Sequence, residues 1–101
     1  MQIRACALDE LEVGSARRVD LAGESLCLVR TADAVHAVDD VCTHADVSLS
    51  DGDVDGTTIE CWLHGSRFDL VTGSPSGPPA VMPITVYPVS IDQGDVLVDL
   101  P

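Results

Sequence analysis

Turn signals recur roughly every 8–12 residues along this sequence, and the runs between them are short and rich in Val, Ile, Leu and Thr. That rhythm leaves no room for a helical core and constrains the chain to an all-β sandwich or barrel. Gln2 to Leu8 alternates, with Ile3, Ala5 and Ala7 on one face. Ser25 to Arg30 and Ala34 to Asp39 read as a hairpin across Thr31-Ala32-Asp33. Gly52 and Gly56 punctuate an acidic stretch, and Thr57 to Cys61 and Arg67 to Val71 are further predicted strands. Val81 to Ile91 and Val96 to Leu100 close the chain as a hairpin across Asp92-Gln93-Gly94-Asp95. Leu8 to Val13 is helix-like but too short to shape the fold. Gly73-Ser74-Pro75-Ser76-Gly77-Pro78-Pro79 is too rich in Gly and Pro for a strand and reads as a stiff exposed loop.

With 101 residues, the sequence is expected to form a single domain spanning 1–101. The only aromatic residues are Trp62, Phe68 and Tyr87, so aliphatic side chains must fill the core. No apolar run approaches the ~18 residues of a membrane-spanning helix. Asp9 and Glu10 arrive too early for a signal peptide, which places the expected compartment in the cytoplasm. Seventeen acids against five bases, with no Lys, give a net charge of −12. Such a chain repels polyanions, so nucleic acid and anionic membrane surfaces are excluded as partners. The charge suits solubility and steering toward a basic partner.

The four cysteines divide into two kinds. Cys6 and Cys27 sit in apolar runs and read as small core hydrophobes. Cys42 and Cys61 each lead a short motif, Cys42-Thr43-His44 and Cys61-Trp62-Leu63-His64, with 16 residues between the two. Each motif opens a loop after a strand-like run, so a hairpin between them can bring two thiolates and two imidazoles together. Two Cys and two His can make a tetrahedral zinc site, as in a zinc-binding interaction module. Structural zinc, however, usually takes paired-cysteine knuckles. One Cys and one His per motif suits a binuclear iron cluster, with both cysteines on one iron and both histidines on the other.

Cys-x-His followed by Cys-x-x-His resembles the signature of the Rieske 2Fe–2S proteins. The context agrees. Asp51-Gly52 and Val54-Asp55-Gly56 resemble the family's linking segment, and His64-Gly65-Ser66-Arg67-Phe68-Asp69 its second loop and exit strand. Gly77-Pro78-Pro79-Ala80 resembles the proline loop that covers the cluster from a third side. The resemblance spans roughly Ala34 to Val89. It implies an all-β Rieske fold of three antiparallel sheets, with a cluster-binding subdomain at about residues 40–70 on a basal β domain. It implies one 2Fe–2S cluster, with Cys42 and Cys61 on the inner iron and His44 and His64 on the outer iron through Nδ1. It further implies that Gly65 lets the backbone approach the cluster and that Ser66 hydrogen-bonds a cluster sulfide.

Within the family, respiratory-chain members carry a membrane anchor and a disulfide between the loops. The matching positions here are Val47 and Leu63, so that bridge is absent. Oxygenase subunits carry a catalytic domain for which this chain has no room. What remains resembles the Rieske-type ferredoxins, electron carriers rather than enzymes. A monomer of that kind would shuttle single electrons from a flavin-dependent ferredoxin reductase to a terminal oxygenase, often an aromatic-ring dioxygenase. The alternative is a small Rieske subunit resident in a larger enzyme such as nitrite reductase.

Between Asp39 and Asp69 stand eight acids (Asp39, Asp40, Asp46, Asp51, Asp53, Asp55, Glu60, Asp69) and one base, Arg67. This collar reads either as a docking device or as a solvated face. Trp62 reads either as an interface contact or as local core. His36 has no partner motif and reads as structural. High-potential relatives use a serine and a tyrosine hydroxyl beside the cluster. Ser66 occupies the first of those positions, and Phe68 stands at the second.

Overall fold

A computed structural model of the chain describes residues 1–41, 47–62, 65–76 and 82–101. Among the described residues eleven strands form three antiparallel sheets, as the all-β reading requires. Among the described residues the only helical turns are two 3₁₀ segments, Leu8–Glu10 and Leu49–Asp51. None is long and apolar enough to cross a membrane.

The middle layer holds β2 (Ser15–Leu21), β3 (Glu24–Arg30), β4 (Val35–Asp39) and β9 (Val86–Tyr87), in that order. β3 is buried along its centre, Leu26 to Val29, because both of its faces are covered there. Its side chains alternate between two cores, as a period of two demands. Leu26 and Leu28 join Ala37, Val96, Val98 and Cys6 on one face. Cys27 and Val29 join Val38, Ile59, Cys61 and Phe68 on the other. The first core is closed by a three-stranded sheet of β1 (Gln2–Ala7), β11 (Asp95–Asp99) and β10 (Val89–Asp92). The second is closed by β5 (Asp53–Asp55), β6 (Thr58–Glu60), β7 (Arg67–Asp69) and β8 (Pro75–Ser76).

Five expectations need correction. β2 is a strand that the sequence pattern does not announce: Arg17 and Arg18 interrupt its apolar alternation, yet it pairs residue for residue with β3. The turn joining them is Ala22-Gly23, both at positive φ (51° and 84°), which is the type I′ geometry that suits a two-residue hairpin. Val81 to Ile91 is not one strand. Pro88, which has no N–H, separates β9 from β10, and the two halves pair in different sheets. Pro75 and Ser76 are a strand after all, pairing with Phe68 and Arg67 at the sheet edge, where a missing donor is tolerated. In β1 the register slips between Arg4 and Cys6, a bulge that turns Cys6 into the core where strict alternation favours Ala5 and Ala7. The acidic stretch also contributes β5, paired with β6.

Candidate metal centre

Of the four expected ligands, Cys61 falls among the described residues; Cys42, His44 and His64 lie outside them, as do Leu63 and the proline loop from Gly77 to Ala80. Cys61 directly follows β6 and is fully buried, in one core with Leu49, Ile59, Phe68 and Leu70. Its thiol is free of any disulfide, as are those of Cys6 and Cys27.

The loop that Cys61 opens is pinned at its base. The Cys61 N–H donates to the Ser66 carbonyl at 2.7 Å, and the Gly65 N–H donates back to the Cys61 carbonyl at 3.0 Å. Gly65 sits at φ 77°, a left-handed conformation that a glycine adopts without strain. Ser66 is fully buried next to this closure. One residue out on each side, Glu60 and Arg67 face each other across β6 and β7. The Arg67 guanidinium lies 3.4 Å from Glu60 and 3.6 Å from Asp55, so the single base of the acidic segment is held between two of its acids. Trp62 is 54% exposed, which argues against the local-core reading.

The first motif is bracketed too. Asp40, two residues before Cys42, accepts from the Ser50 N–H at 2.7 Å and the Ser50 hydroxyl at 3.0 Å. Gly52 then runs against the carbonyl of Glu60, so closely that a Cβ would collide with it. A third bracket lies at Gly73, whose carbonyl accepts from the Ile84 N–H at 2.9 Å and whose backbone also leaves no space for a Cβ. The exit of the first loop is thereby packed against the entry of the second, on one end of the β5–β8 sheet. In the sequence, Asp40 is one more acid of its segment and Gly52 a turn residue. Only contacts between residues distant in sequence reveal their roles.

The other thiols have the environment of structural cysteines. Burial, and then the charge of Asp40, push the Cys27 pKa far up, so it stays a neutral thiol in the core. Burial also raises the Cys6 pKa. His36 is half-buried on β4, and burial lowers its pKa against the opposing charge of Asp69. Its neutral form suits a structural role.

Comparison with known families matches residues 1–88 to the family described as Rieske [2Fe-2S] domain. The chain belongs to the Rieske family. It is 38% identical, over 97% of its length and 94% of the relative's, to the ferredoxin component of the naphthalene 1,2-dioxygenase system of Pseudomonas putida. Among solved structures it is similar to a ferredoxin in a complex of reduced oxygenase and oxidised ferredoxin in carbazole 1,9a-dioxygenase. There the TM-score is 0.90 at 38% identity, covering 96% of this chain and 91% of that one. It is also similar to a putative NADH-dependent nitrite reductase small subunit from Mycobacterium tuberculosis. That TM-score is 0.88 at 28% identity, covering 97% and 93% of the two chains.

The surroundings of Cys61 fit a Rieske cluster. A buried soft donor stands at the mouth of a loop whose backbone is already closed on itself, beside a buried serine. When bound, the cluster accepts and releases one electron at a time. The chain's own contribution, among the described residues, is to fix the backbone that flanks the loops, through the Cys61–Ser66, Gly65–Cys61 and Ser50–Asp40 hydrogen bonds.

Proposed function

We propose that this chain is the ferredoxin of a ring-hydroxylating dioxygenase system. It carries single electrons from a flavin-dependent reductase to a terminal oxygenase, and it is not itself a catalyst. Cys42, His44, Cys61 and His64 hold its cluster, on a subdomain at about residues 40–70 set on a basal domain made by the rest of the chain. The chain works as a cytoplasmic monomer. The observation that carries this reading is the end-to-end match to a dioxygenase ferredoxin component, 97% of this chain against 94% of that one. The ferredoxin complexed with an oxygenase supports the direction of transfer.

Reconstitution tests it. A ferredoxin reductase, NADH and a ring-hydroxylating oxygenase of the naphthalene or carbazole type should form oxygenated product only when this chain is added. Omission without effect on product would reject the carrier role. The likeness to a nitrite reductase small subunit favours a second reading, a resident subunit. A stable stoichiometric complex with a large reductase subunit, and no product in the reconstituted assay, would select it.

A further inference from the structure

Among the described residues two polar side chains are buried, Asp40 and Ser66, and each stands two residues from one of the proposed histidine or cysteine ligands. Ser66 belongs to the second loop already described. Asp40 does not, and its side chain is wholly shielded from solvent. A buried carboxylate is costly unless its charge and lone pairs are satisfied. Here both oxygens are used on one residue. Oδ1 takes the Ser50 N–H and Oδ2 takes the Ser50 hydroxyl. Its counterion is Arg18 of β2, two strands away in the same sheet, with Nε 3.8 Å from Oδ2 and 3.5 Å from Asp20. Arg18 is itself held by the Ser25 hydroxyl at 3.1 Å, and Ser25 by Asp20 at 2.9 Å. The backbone of Asp40 is tied to the same place, its N–H donating to the Ser25 carbonyl at 3.1 Å.

We propose that Asp40 is a positioning residue for the cluster. It closes the segment from 41 to 49 at its base, fastens it to the β2–β3 hairpin, and leaves a fixed negative charge beside the redox centre. The inference rests on Cys42 being a ligand. Ser50 lies beyond the far end of that segment, so the Asp40–Ser50 contact spans it as a staple would. A neutral residue could not serve both Ser50 donors and Arg18 at once. A carboxylate does, and its charge opposes the uptake of an electron nearby.

Two variants separate the staple from the charge. Asp40→Asn keeps the size and one acceptor but removes the charge. Asp40→Ala removes both. In the cluster-loaded protein, Asp40→Asn should raise the midpoint potential enough to change the oxidised-to-reduced ratio at a fixed electrode potential about threefold or more. Asp40→Ala should speed hydrogen exchange of the Ser50 amide about tenfold, and hasten loss of iron during dialysis against a chelator. A simple packing role would change stability and leave the potential of Asp40→Asn where it was. An unmoved potential in Asp40→Asn, or a Ser50 amide equally protected in Asp40→Ala, overturns the proposal. Wild-type protein without iron overturns the functional reading and this one with it, whereas loaded wild type with indifferent variants overturns this one alone.

Discussion

Gly52 lies against the carbonyl oxygen of Glu60, the residue directly before Cys61, with no space between them for a Cβ. The exit of one proposed ligand loop is therefore set on the entry of the other by backbone contact alone. Backbone cannot yield as the tip of a flexible side chain can. Gly52→Ala should destabilise the fold by about 1–3 kcal/mol, as overpacking does, and should lower iron content as well. Gly94→Ala, with open space at its Cβ position, should cost only about 1–2 kcal/mol for its positive φ and should keep its iron. Chemical denaturation and iron analysis of the two variants compare them. Equal iron loss in both would contradict the packing argument.

The cysteines should separate into two pairs. Cys42→Ser and Cys61→Ser should purify colourless, because each removes one of the two proposed thiolate ligands. Cys6→Ser and Cys27→Ser should keep the visible absorbance. Cys27 lies in the same core as Cys61 yet is walled in by apolar side chains, and a hydroxyl there should cost about 1–3 kcal/mol. Visible spectra normalised to protein decide. A colourless but folded Cys27→Ser would reassign the ligands.

Electron transfer to the oxygenase should slow as salt rises, because exposed charges are screened beyond about 10 Å at 0.1 M. Asp51 at the end of the second 3₁₀ segment and Asp53 and Asp55 of β5 are exposed, with Asp55 in reach of Arg67. Asp51→Asn with Asp53→Asn should flatten the salt dependence measured by stopped flow. A wild-type rate that is level from low to high salt would favour the solvated-face reading.

Alkaline stability should depend on Tyr87. Its hydroxyl donates to Asp39 at 2.6 Å. Burial, then that hydrogen bond and the Asp39 charge, raise its pKa above the ordinary value of about 10. The folded chain therefore holds the phenol proton more tightly than the unfolded one. The stability this contributes is complete below about pH 10 and is lost as pH rises toward the folded value. Tyr87 is the only tyrosine, so phenolate absorbance reports it alone. Tyr87→Phe should remove this part of the alkaline loss. Parallel stability curves for wild type and variant above pH 10 would contradict it.

What the sequence shows and what it hides follow from the range of the interactions involved. The Cys–His motifs are visible because ligand chemistry is local and its spacing is regular. The β3–β4 hairpin and the β10–β11 hairpin are visible because alternation and turn residues are local too. β2 is hidden by Arg17 and Arg18, whose charges break the apolar alternation while their backbone pairs normally. Pro75 misleads because its missing donor matters only inside a sheet, and its strand is at the edge. Asp40 looks like every other acid in its segment until Ser50, ten residues on, closes over it.

The midpoint potential tests the central claim most directly, since it reports both the cluster and its ligands. Two imidazoles in place of two thiolates leave the cluster less negative and lift its potential above the ~−400 mV of all-cysteine plant-type ferredoxins. Phe68 is fully buried in one core with Cys61 and has no hydroxyl to offer a sulfur. With that donor missing and acids dense around the loops, the value should lie toward the lower end of the Rieske range, about −150 to +300 mV. Phe68→Tyr should raise it. Protein-film voltammetry at neutral pH should show a reversible one-electron wave in that lower part. A wave near −400 mV, or no wave at all, would contradict a carrier built on two cysteines and two histidines.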